Sequence, residues 1–121
     1  MNRSRPTTTI LALFLLSPVA LAQESVTQFR LAAAPGNISD CINLDSSLSR
    51  VHTLTVKDGL VEVKSAGGVD DKMKLTRPGV YVTDFTLGGG RLDVVADLSG
   101  SPKSLTVTEK NRGCKWVATS P

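Results

Sequence analysis

The sequence predicts an all-β domain: a small antiparallel meander of about 7–8 strands, closed as a barrel or folded as a two-layer sandwich, with one disulfide. Three observations predict it. From residue 50 onward apolar and polar residues alternate with period two. Turn signals such as Asp58-Gly59, Gly88-Gly89-Gly90 and Ser99-Gly100-Ser101-Pro102 interrupt that alternation at short intervals, too short for parallel crossovers. Cys41 and Cys114 stand 73 positions apart, so a bond between them ties an early segment to the last strand and favours closure.

The elements follow in order. Residues 26–33 form an N-terminal strand, with Phe29 and Leu31 alternating with Gln28 and Arg30. In residues 36–49, Cys41, Leu44 and Leu48 recur at helical spacing, with Ser39 or Asp40 as a candidate cap. We expect a loop with one helical turn there; a strand over 40–44 is the competing reading. Residues 50–57 and 60–64 form a hairpin around Asp58-Gly59, the pair that best tolerates a type I′ turn. Ala66-Gly67-Gly68 ends it, residues 69–72 are a charged loop, and 73–76 form a short strand. Arg77-Pro78-Gly79 turns the chain into a long strand over 80–87, where Tyr81, Thr83, Phe85 and Leu87 share one face. The strand over 91–98 turns Leu92, Val94, Ala96 and Leu98 inward. In the next, Leu105 and Val107 alternate with Thr106 and Thr108, and residues 114–118 complete the meander.

Residues 1–22 have the form of a cleaved export signal. A basic start, Met1-Asn2-Arg3-Ser4-Arg5, precedes an apolar run over 10–16 and a small-x-small site at Ala20-Leu21-Ala22. The run is shorter than the ~20 residues that span a bilayer, so no transmembrane segment is expected after cleavage. The expected mature chain is a single all-β domain over 23–121, periplasmic or secreted. Its charge is close to neutral: the sequence holds 14 Lys and Arg against 11 Asp and Glu, and Arg3 and Arg5 leave with the signal. That balance argues against a nucleic-acid partner. In an oxidising compartment two cysteines without C-x-x-C spacing read as a structural disulfide. Closing so long a loop contributes roughly 4 kcal/mol in the chain-entropy model.

Catalytic and cofactor signals are weak. His52 is the only histidine and lies within a strand, with no G-x-S-x-G elbow in the chain, so a structural role is expected. Asp40, Asn43 and Asp45, and the pair Asp70-Asp71, lack the form of a calcium loop. Asp84, Asp93 and Asp97 read as outward surface charge rather than a carboxylate pair in a cleft. The glycine runs join strand to strand, so they read as turns and not as phosphate cradles. No catalytic residue, metal ligand or cofactor is therefore assigned. The candidate partner-binding residues are Lys103, Lys110, Arg112, Lys115 and Trp116, a basic cluster around an aromatic. Trp116 shares strand parity with Cys114, which favours core packing for it instead. Asn37-Ile38-Ser39 matches an Asn-glycosylation triplet.

In format the chain resembles the small periplasmic lysozyme inhibitors of Gram-negative bacteria, which are exported, of similar length, barrel-like and disulfide-bonded. The resemblance stops at plan. That family carries a Ser-Gly-x-x-Tyr loop, whereas Tyr81 here follows Pro78-Gly79-Val80, and an aromatic-Lys-Gly loop, whereas Trp116 precedes Val117. No functional residue carries over. The expected function is an exported, non-catalytic β-domain with a binding or envelope-structural role. The alternatives are an inhibitor of a secreted enzyme and a carrier of a small apolar ligand.

Overall fold

The computed structural model describes residues 24–65 and 70–120; the expected export signal and residues 66–69 lie outside the described residues. The chain forms β1 (Glu24–Arg30), β2 (Ala32–Ala33), a 3-10 turn (Ser39–Cys41), α1 (Ile42–Leu48), β3 (Val51–Lys57) and β4 (Leu60–Ser65). Then follow β5 (Asp70–Arg77), β6 (Val80–Leu87), β7 (Gly90–Asp97), β8 (Lys103–Glu109) and β9 (Cys114–Ser120). All neighbours pair antiparallel, in the order β1-β3-β4-β5-β6-β7-β8-β9-β2. Because β1 and β2 adjoin in the chain, this order curls into a nearly closed barrel. Among the described residues no helix is long and apolar enough to cross a membrane.

The nine strands exceed expectation because the N-terminal strand divides at Leu31. That residue is buried, and its N–H still donates on the β3 side, to the Arg50 carbonyl at 3.0 Å. Before it, β1 pairs with β3; after it, β2 pairs with β9. The β3–β4 hairpin turns as its sequence requires: Asp58 and Gly59 both adopt positive φ, 53° and 80°, between the paired residues Lys57 and Leu60.

Two expectations are corrected. Residues 70–72 are not loop but the start of β5, with Asp71 opposite Val63 and Lys72 opposite Glu62. Ladder bonds come from the backbone, so charged side chains do not prevent them; Asp70 and Lys72 stay exposed. Residues 36–49 hold more helix than one turn. Cys41, Leu44 and Leu48 are each no more than 2% exposed, so the apolar stripe is buried along its whole length and holds the helix by packing. Neither Ser39 nor Asp40 caps it: the residues before each helical segment are Ile38 and Cys41, with no side-chain cap bond.

The core is one contiguous cluster that includes Phe29, Leu54, Val63, Leu92, Val94, Leu105, Val107 and Trp116 from the barrel. Leu44 and Leu48 join it from α1, which lies beside the β6–β7 turn. A Cβ at Gly88 would come within 3.2 Å of Leu44 Cδ2. The Cys41–Cys114 disulfide joins the 3-10 turn to β9, with Cα atoms 5.7 Å apart.

Candidate interaction surface

The five residues of the basic-aromatic cluster do not form one surface. Trp116 is fully buried, and its Nε1 donates to Asp45 Oδ1 at 2.8 Å, as its shared parity with Cys114 indicated. Arg112 turns back onto Glu109, with Nε 3.3 Å from Oε2. Lys110 pairs with Asp93 at 3.1 Å on the outer face. Lys115 is exposed, but its backbone is engaged: Asn37 Oδ1 accepts from its N–H at 2.8 Å and Asn37 Nδ2 donates to its carbonyl at 2.9 Å. The Asn37 amide thus extends the sheet beside β2 instead of projecting into solvent. Lys103 begins β8 beside Ser120, at the far end of that strand from Lys110.

Two buried polar groups matter to the fold. His52 is 2% exposed and its Nε2 lies 3.0 Å from the Leu48 carbonyl. A carbonyl only accepts, so Nε2 carries the proton. Burial holds the ring below the ordinary imidazole range; the Leu48 bond opposes this and nearby Arg50 adds to it. Glu109 was not singled out by the sequence and is fully buried. Its Oε1 accepts from the N–H groups of Asn111 at 2.6 Å and Arg112 at 3.2 Å, organising the β8–β9 turn. Inward parity with Leu105 and Val107 was the available signal.

A concavity of about 570 Å³ lies on the outer face of β5 to β8. Val82 and Val95, directly paired across β6 and β7, form its apolar floor. Lys74, Asp84, Asp93 and Lys110 surround that floor. Asp84 and Asp93 are cross-strand partners, and each carboxylate has its own cation: Arg91 at 2.7 Å and Lys110 at 3.1 Å. Without those cations the two like charges would repel across the ladder. Asp97 lies apart, its carboxyl held below the usual range by bonds from the Ser99 hydroxyl and N–H at 2.6 and 3.0 Å.

Strand pairing parts at two seams. Before Leu31, β1 pairs only with β3, and β9 is covered by β2 only at Val117 and Trp116. Beyond Lys74, β5 leaves β6: pairing covers Lys74 to Arg77 against Val80 to Val82, so residues 83–87 pair only with β7. No protein-family model matches this chain, and no curated protein or solved structure shows significant similarity to it.

Proposed function

We propose that this is an exported, non-catalytic β-barrel domain that works by binding a protein partner on the outer face of β5 to β8. The observation that carries this reading is the concavity floored by Val82 and Val95. Val95 is 38% exposed there, an apolar floor within a charged rim, which is the composition of a recognition surface. The packed interior supports an outside surface over an internal ligand, since Phe29, Leu54, Leu92, Leu105 and Trp116 meet within one cluster. A non-catalytic role is supported by His52, whose ring is buried against a backbone carbonyl. The Cys41–Cys114 bond suits an oxidising compartment.

The test is affinity capture from periplasmic extract with the immobilised protein, followed by mass spectrometry. We expect a partner retained by the native protein and lost with Val95→Asp, which places a charge on the floor. Retention unchanged by that substitution, or no retained partner, contradicts the reading.

A further inference from the structure

We infer that the open edge of β6, residues 83–87, takes up an extended peptide segment of a partner as an added β-strand. The inference rests on the binding-domain reading and names its chemistry.

The edge follows from the turn. Gly88 and Gly89 have φ of 58° and 79° and join the paired residues Leu87 and Gly90, which defines a two-residue type I′ hairpin. The closing pair of such a hairpin exchanges hydrogen bonds, so Leu87, Phe85 and Thr83 spend their backbone groups on β7. Those of Asp84 and Thr86 point the other way, toward β5. Val82, of the same parity, meets Lys74 of β5, but the pairing ends there. Asp84 and Thr86 therefore present N–H and C=O groups with no strand partner among the described residues.

The β5 side of the seam is blunted. The Lys72 N–H, which faces β6 by the same parity as Lys74, is taken at 3.0 Å by the carboxylate of its own neighbour Asp71. A charged residue placed this way blunts an edge. At the other seam, β1 exposes Val26 at 58% but flanks it with Glu24, Gln28 and Arg30, long polar side chains that discourage pairing. The β6 stretch has one charge, Asp84, already held by Arg91. Phe85 and Leu87 are only half-buried and pack on the core, leaving an apolar shelf beside the free backbone groups.

The occupant is an extended segment rather than a second copy. Five residues of strand span roughly 17 Å. A second barrel meeting so short an edge would bury far less than the ~1,600 Å² of a standard stable interface. A single extended segment can pair with β6 and also reach the adjoining concavity. Its side chains must alternate, apolar toward Phe85 and Leu87, polar outward. Asp84 and Asp93 are neutralised by Arg91 and Lys110, while Lys74, on the wall, has no ion-pair partner among the described residues. An acidic outward residue is therefore favoured.

The test pans a phage library of random dodecapeptides against the oxidised protein, then uses the selected peptide in synthetic form. We expect alternating apolar and polar sequences containing Asp or Glu. Bound peptide should slow amide exchange at Asp84 and Thr86 at least tenfold. Lys74→Glu should weaken binding about tenfold. Thr86→Pro, which removes one edge N–H, should abolish it while circular dichroism stays native. No selected peptide, protection confined to β1, or binding indifferent to Lys74→Glu overturns the inference. A peptide that shifts Val82 and Val95 signals but leaves Asp84 and Thr86 unprotected overturns strand addition alone and leaves the binding surface standing.

Discussion

Trp116 and Asp45 meet across 71 positions of sequence: the indole Nε1 donates to Asp45 Oδ1 at 2.8 Å. The bond gives the largest fully buried side chain of the core its polar partner on α1, one turn from the Cys41–Cys114 bond. The helical segment over 39–48 and the last strand are thus joined twice, by a covalent link from the 3-10 turn and by a charge-assisted hydrogen bond from α1.

Asp45→Ala leaves the indole N–H without its acceptor and should cost about 1–3 kcal/mol. Asp45→Asn keeps an acceptor oxygen and should cost less. Urea unfolding followed by Trp116 fluorescence measures both. Equal losses would show that the carboxylate charge, not the hydrogen bond, is what matters.

Reduction of Cys41–Cys114 should lower stability by roughly 2–5 kcal/mol, the range for removing a native disulfide from a small domain. Cys41→Ser and Cys114→Ser should each cost about the same, and the double substitution little more than one, because all remove one cross-link. Denaturant titration under oxidising and reducing conditions checks this; the oxidised protein should show no titratable thiol.

Stability should fall on mild acidification through His52. Its folded pKa is lowered, first by burial. Below the ordinary value of 6.5 the unfolded chain therefore takes up a proton that the folded chain refuses. Stability is full above that value and declines as pH drops toward the folded pKa, at a limiting slope of about 1.4 kcal/mol per pH unit. His52→Gln should flatten this decline. Asp97 acts lower: its depressed carboxyl gives stability present above the unfolded value of 3.8 and lost as pH falls through the folded one. Thermal melts between pH 7 and 5 isolate the histidine.

Glu109→Ala should loosen the β8–β9 turn, since two backbone N–H groups and Arg112 lose their acceptor. The expected cost is about 1.5–3 kcal/mol, the range for hydrogen bonds to charged groups. Glu109→Gln retains Oε1 and should cost less. Chemical denaturation ranks the two.

What could be read ahead of the structure was local. Asp58-Gly59 declares its own turn, and Leu92, Val94 and Ala96 declare their inward face by parity alone. The cysteine pair was legible because two cysteines have one intramolecular partner choice. What escaped depends on distant chain. The charged start of β5 is a strand because β4 lies beside it, and nothing in Asp70-Asp71-Lys72 says so. The helix over 42–48 is held by the barrel and the disulfide, not by a cap. The burial of Trp116 was legible from its parity with Cys114, but its partner Asp45, 71 positions away, was not. The parting of β5 from β6 is a matter of register between strands, invisible in either one.

The most direct measurement is residue-resolved amide exchange across β6 in the free protein. The account predicts slow exchange at Thr83, Phe85 and Leu87, which bond to β7, and fast exchange at Asp84 and Thr86, which face the open seam. Uniform protection along β6 would mean that β5 and β6 are paired throughout, and would contradict it.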